Sequence, residues 1–416
     1  MIQASIITIG DELLIGQVID TNSAWIAQEL NKAGIRLARR VAVGDVWDEI
    51  WNALDEEKKQ AQIILITGGL GPTADDITKP LLCKYFDGTM ITDQGALENV
   101  RNIFENILKR PMIERNIKQA DVPNTCTVIQ NSRGTAPGMW FEKDNTIFVS
   151  MPGVPHEMKA MITDYVLPEL KKRFELPYIL HRTLLTAGVG ESFLAELIQE
   201  FETALPTSIK LAYLPNYGMV RLRLSATGFN KEALEQALDE HFNQLQQIVA
   251  EFLVTNEDEP LEKTVGKLLL KNNKTIGTAE SCTGGYLAHL FTAHPGASAY
   301  FNGSIVSYAN SVKENVLHVS SNTLQTHGAV SEAVVTQMAK GALEQLQCDF
   351  VLAVSGIMGP DGGSTEKPVG TVWIAIGNKE KIETHLLQLK YDRQRNIHLT
   401  ATNALNLVRK FILNNP

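Results

Sequence analysis

Ile63-Ile64-Leu65-Ile66 is a run of four large aliphatic side chains that stops at Thr67-Gly68-Gly69-Leu70-Gly71-Pro72. A strand that is apolar at every position must be covered on both faces, because its side chains alternate between them. Phe350 to Ser355 reads the same way, Ser5 to Ile9 and Thr146 to Ser150 read as buried strands, a short apolar run precedes Ser281, and helical patterns separate them. Strands alternating with covering helices predict a parallel, doubly wound sheet that binds ligands beyond the carboxyl ends of its strands.

A chain of 416 residues predicts two or three domains. Residues 1–172 read as a doubly wound parallel-sheet α/β domain. Residues 173–257 read as a small α+β connector in the order βαββα, closed by the acidic stretch Thr255 to Pro260. Residues 258–416 read as a second α/β domain. No apolar run approaches the ~20 residues of a membrane span, so no membrane partner and a cytoplasmic location are expected. The four cysteines are far apart without a CxxC pair, which predicts free thiols. A net charge of -9 disfavours nucleic acid as a partner. No heptad or apolar stripe marks an oligomer interface, so a homodimer is only a default expectation.

In the first domain Gly68, Gly69 and Gly71 allow backbone N–H groups to approach an oxyanion. Asp75 and Asp76 follow at once. Adjacent carboxylates beside a phosphate loop call for a divalent metal, or else cap the next helix. Asp45, at the end of the preceding strand, can join them. Neither GxGxxG nor GxxxxGK[ST] occurs in the loop, so a dinucleotide fingerprint and a Walker loop are unsupported. Glu157 follows another strand edge, in Pro152-Gly153-Val154-Pro155-His156-Glu157, as a metal or substrate contact; His156 reads as a capping or surface residue. In the connector, Arg221 and Arg223 alternate with apolar residues and read as a wet strand face.

In the last domain a strand ends in Glu280-Ser281-Cys282-Thr283-Gly284-Gly285 and a helical pattern begins at Tyr286. Such a turn presents a hydroxyl or thiol beside backbone N–H groups, as acyl transfer requires. An ordinary Ser/Thr helix cap is the competing reading. Lys313 supplies a candidate base for Ser281, since desolvation can neutralise a buried lysine; the alternative is a surface lysine. Arg393 and Arg395 open the last helix, where cations are unfavourable, which predicts a bound anion.

These stretches together resemble the CinA family. Gly10-Asp11-Glu12-Leu13-Leu14-Ile15-Gly16, Thr67 to Thr78 and Pro152 to Met158 look like its molybdopterin-binding-like domain. Ala279 to Gly285, Tyr308-Ala309-Asn310 with Lys313, Gly356 with Gly359-Pro360, and Lys367 to Val372 look like its C-terminal domain, which is similar to stand-alone nicotinamide mononucleotide deamidases. Met358 and Asp361 depart from that pattern.

The resemblance implies hydrolysis of nicotinamide mononucleotide without a cofactor. Ser281 would be the nucleophile, Lys313 its base and Tyr308 an orienting hydroxyl. Thr283, Gly284, Gly296, Asn310, Ser355, Gly356 and Arg395 would contact substrate, Arg395 as phosphate anchor. It also implies a metal-dependent ADP-ribose pyrophosphatase in the first domain. Glu12, Asp45, Gly68, Gly69, Gly71, Asp75, Asp76 and Glu157 would form that site, with a divalent metal on Asp75 and Asp76. Cys282 as nucleophile and a non-enzymatic nucleotide- or pterin-binding regulator are the rival readings.

Overall fold

The structure is a computed structural model describing residues 1–73 and 76–415. The chain divides into two compact units, residues 1–180 with 226–235 and residues 181–225 with 236–416.

The strands are β1 Gln3–Ile9, β2 Arg36–Val43, β3 Ile63–Thr67, β4 Met90–Thr92, β5 Asp121–Pro123, β6 Thr127–Ile129, β7 Gly138–Lys143 and β8 Thr146–Met151 in the first unit. β9 Tyr178–Ala187, β10 Ile209–Asn216, β11 Met219–Gly228, β12 Leu253–Thr255, β13 Ile276–Glu280, β14 Phe301–Val306, β15 Phe350–Gly356, β16 Thr371–Gly377 and β17 Ile382–Gln388 follow.

The first unit holds a six-stranded sheet in the order β2-β1-β3-β8-β7-β6. β1 is parallel to β2 and β3, and β3 to β8. β7 and β6 then add antiparallel. The doubly wound parallel part is as expected; the antiparallel edge and the β4–β5 pair are additions. Period-two burial explains the layers. Ile6, Leu65 and Val149 pack on one face with Ile26, Met158 and Leu170. Their neighbours Ile7, Ile64, Ile66 and Phe148 pack on the other with Leu54, Leu81 and Phe86. Each such side chain contributes roughly 1.5–3 kcal/mol of transfer free energy.

The second unit contains most of the four-stranded sheet β10-β11-β9-β12 and the five-stranded sheet β14-β13-β15-β16-β17. In the latter, β13 runs parallel to β14 and β15, while β16 and β17 are antiparallel. Leu352, Val354 and Ile374 pack under the helix Arg393–Asn414, whereas Val351, Ala353 and Ala375 face the helix Glu332–Leu346. Among the described residues no helix is long and apolar enough to cross a membrane.

Candidate active site

Ser281 is the first residue beyond β13, and its N–H donates to Val354 O at 3.0 Å. Ser281 is half-buried, open enough to meet a substrate. Gly284 and Gly285, at φ 62° and 99°, turn the chain back into the helix Tyr286–Thr292, a conformation that any Cβ would strain.

Lys313 arrives from the helix Asn310–Asn315 and is 1% exposed. Its Nζ lies 3.1 Å from Ser281 Oγ, 2.6 Å from Ser307 O and 3.3 Å from Tyr308 O. Desolvation holds its pKa below the ordinary lysine value. Nζ donates to both carbonyls and to Ser281 Oγ; in its neutral form the amine keeps two N–H groups for the carbonyls and has a lone pair to take the Ser281 proton.

The turn is organised by Glu280, a residue the sequence reading passed over. Glu280 is fully buried and accepts from Thr283 Oγ1 at 2.7 Å and from the N–H groups of Gly285, Leu287 and Ala288 at 3.1, 3.0 and 2.8 Å. Thr283 therefore does not cap the helix; its hydroxyl serves Glu280. The helix N-terminus is likewise already occupied by an acid and does not hold an oxyanion. Among the described residues, no oxygen accepts from the N–H groups of Cys282 or Thr283, which directly follow the nucleophile candidate and interact with the Cys282 sulfur. Cys282 is buried, and desolvation pushes its thiol up to about 12.

Ser355, on β15 beside Ser281, is fully buried and donates to Ala329 O at 2.7 Å. Gly356 follows, where a Cβ would sit 2.7 Å from Val372 Cγ2. Tyr308 is exposed, and its hydroxyl accepts from Arg393 at 3.1 Å. Arg393 also donates to Gly359 O at 2.9 Å, and buried Asn396 donates to Met358 O at 3.1 Å. The loop after β15 is thus tied to the last helix by Arg393, which the sequence suggested as an anion ligand, and by Asn396, to which it gave no role.

Three expectations are corrected. Gly296 precedes β14 at the sheet's amino edge, where Ile276 pairs with Phe301, so it lies at the opposite end from Ser281. Arg395 stacks 3.9 Å over the Tyr391 ring and lines a separate cleft with Tyr217 and Met219, while Arg393 holds Tyr308. The last helix is capped by Asp392, whose carboxylate accepts from Arg395 N at 2.9 Å, so no bound anion is needed to explain its two arginines. Asn310 is exposed at the start of the Lys313 helix.

In the first unit Glu12, Asp45, Gly68, Gly69, Gly71, Asp76 and Glu157 all line one cleft of about 500 Å³ beyond the strand ends. Asp75 lies outside the described residues. Gly69, at φ 63°, brings the loop so close to the next helix that a Cβ would stand 2.1 Å from Thr78 Oγ1. Asp76 accepts from Gly71 N at 2.8 Å, Thr73 N at 2.9 Å and the Thr73 hydroxyl. Its carboxylate therefore shapes the loop, and those N–H groups are not free for a phosphate. Glu157 accepts from Asn131 at 2.6 Å.

Burial, then the charges of Asp11, Asp76 and Glu12, raises the Asp45 carboxyl above its ordinary value. Crowded oxygen donors of this kind suit a hard divalent cation, although among the described residues no three acidic, His or Cys side chains converge as a ready metal site. Lys79, absent from the sequence reading, is buried near Asp76, and desolvation lowers it to about 8.

Three family models match the chain: "Probable molybdopterin binding domain" over residues 5–172, "Damage-inducible protein CinA KH domain" over 181–254 and "CinA C-terminal domain" over 258–412. A CinA-like protein of Cytophaga hutchinsonii is 47% identical over 409 residues, 98% of each chain. One of Flavobacterium psychrophilum is 44% identical over 414 residues, 99% of each chain. A crystal structure of a competence-damaged protein (CinA) superfamily protein from Klebsiella pneumoniae is 34% identical. The match covers 37% of this chain and 96% of that one, at a TM-score of 0.36.

Proposed function

The chain belongs to the CinA family, and from that premise we propose that its C-terminal domain hydrolyses the carboxamide of nicotinamide mononucleotide. The observation carrying this reading is the buried Lys313 amine 3.1 Å from Ser281 Oγ. The Ser281 oxygen attacks the carboxamide carbon while its proton passes to the Lys313 lone pair. The N–H groups of Cys282 and Thr283 face the developing oxyanion. As the tetrahedral intermediate collapses, the C–N bond breaks and the nitrogen takes the proton from Lys313, leaving as ammonia. Water then attacks the ester and gives one proton to Lys313. The ester C–O bond breaks, that proton returns to Ser281, and nicotinate mononucleotide departs.

Cys282 is the weaker nucleophile candidate, since a buried thiol with a pKa of about 12 stays protonated. Tyr308, held by Arg393, orients the substrate from the exposed rim. The test is ammonia release from nicotinamide mononucleotide by the intact chain, compared with Ser281→Ala.

For the N-terminal domain we propose hydrolysis of the diphosphate of ADP-ribose. This reading is supported by the single cleft that gathers the glycine loop, Asp45, Asp76 and Glu157. Asp45 and Asp76, with Glu12 beside them, would hold a divalent cation, whose chemistry there is to polarise the diphosphate and acidify water. Among the described residues no acceptor meets the N–H groups of Gly69 and Leu70, which would serve phosphate oxygens while Asp76 keeps the loop in shape. Turnover of ADP-ribose with added divalent metal tests it.

A further inference from the structure

Across the Gly71–Thr73 loop from the acidic cleft lies a second cleft of about 510 Å³. The two share Gly71, Pro72, Asp76 and Gln119 as a common wall. Gln119 is 6% exposed, and among the described residues its Oε1 has no hydrogen-bond partner. A buried acceptor left bare costs about 1–3 kcal/mol, so its place on the wall of both clefts calls for a donor from a ligand.

The same cleft contains Lys79, 8% exposed, whose Nζ donates to Gln119 O at 2.6 Å. An ammonium has three N–H donors, and a neutral carbonyl answers one of them. A nearly buried lysine is costly without an anionic partner. Among the described residues no carboxylate lies within ion-pairing distance of Lys79 or of Arg115 on the rim, whereas Lys118 pairs with Glu114 at 2.9 Å. Asp121 and Asp76 lie near enough to Lys79 to attract its charge but do not pair with it. Two cations without a direct ion pair beside an unpartnered acceptor match a ligand that carries an anion and a hydroxyl group on one small frame.

We propose that this second cleft is a subsite for a phosphorylated ribose, with Lys79 and Arg115 binding the phosphate and Gln119 Oε1 accepting from a ribose hydroxyl. The subsite rests on the ADP-ribose reading for its purpose, since the shared wall lets one diphosphate-linked substrate lie across both clefts. It does not rest on that reading for its existence.

The experiment is calorimetric titration of ribose 5-phosphate into the full chain without added metal. Saturable binding is expected, with ribose alone and inorganic phosphate each binding more weakly. Losing a charge-assisted bond costs a factor of roughly 10–100, so Lys79→Met should weaken ribose 5-phosphate at least tenfold. Arg115→Gln, on the exposed rim where folding is not at risk, should weaken it several-fold. An unchanged circular dichroism spectrum and thermal unfolding profile report that the unit carrying either substitution still folds. No saturable binding to the wild type, or equal affinity in both variants, would overturn the subsite. If the wild type binds ribose 5-phosphate through Lys79 but leaves ADP-ribose intact, the subsite stands and the pyrophosphatase reading falls. If ADP-ribose is hydrolysed with the same KM in both variants, the subsite falls and the hydrolysis reading stands.

Discussion

Lys313 Nζ reaches Ser281 Oγ at 3.1 Å across 32 residues of sequence, and it does so from a position that is 1% exposed. Burial and contact act together. Desolvation frees the lysine lone pair, and the two carbonyls of Ser307 and Tyr308 aim it at the hydroxyl.

A base that works as a neutral amine sets the pH dependence. The Lys313 pKa is lowered from 10.5, so the neutral fraction grows as pH rises through the lowered value. We expect kcat/KM to rise about tenfold per pH unit on the acid limb and to level off below pH 10.5. Linkage has the same sign. The unfolded chain binds the proton more tightly between the lowered pKa and 10.5, so folding stability rises with pH across that window. In Lys313→Met both the acid limb and this rise should disappear; an unchanged limb would assign the base elsewhere.

Glu280 should be the most costly residue of the turn to remove. Glu280→Ala strands three backbone N–H groups and the Thr283 hydroxyl in a buried place. Denaturant unfolding should show a loss of about 3–5 kcal/mol. Glu280→Gln keeps the shape and should recover part of it. A loss under 1 kcal/mol in the alanine variant would mean that water replaces the carboxylate.

The two arginines of the last helix should separate kinetically. Arg393→Met frees Tyr308 and Gly359, which it holds at 3.1 and 2.9 Å, and should lower kcat through the loosened rim. The Arg395 guanidinium stacks on Tyr391 in the separate cleft, so Arg395→Met should leave kcat and KM nearly unchanged. The reverse pattern would exchange their roles.

Asp76→Asn should abolish ADP-ribose hydrolysis in the presence of divalent metal. The amide cannot accept with both terminal atoms, so one of the Gly71 and Thr73 donors loses its partner and the loop shifts. Ammonia release by the other domain should be unaffected. Hydrolysis that persists at the wild-type rate would contradict the carboxylate's role.

Much of this was legible in the sequence because strand ends announce themselves. The run before Gly68 has no polar face, and the short run before Ser281 ends in a Ser-Cys-Thr-Gly-Gly turn, so both read as strands with sites at their carboxyl ends. The antiparallel β6 and β7 were not legible; each is short and lies in a stretch without clear periodicity. Glu280 was missed for a physical reason, since an acid ending an apolar strand reads as the point where burial stops. Asp392 was readable as an N-cap, yet the two arginines after it suggested a ligand. Gln119 and Lys79 carry no local signal, because their burial arises from the packing of distant segments.

The most direct measurement of the central claim is ammonia released from nicotinamide mononucleotide by the full chain, Ser281→Ala and Cys282→Ala. The wild type and Cys282→Ala should turn over, while Ser281→Ala should fall by at least about a thousandfold. Full release by Ser281→Ala, or no release by the wild type at high enzyme concentration, would contradict the Ser281–Lys313 account.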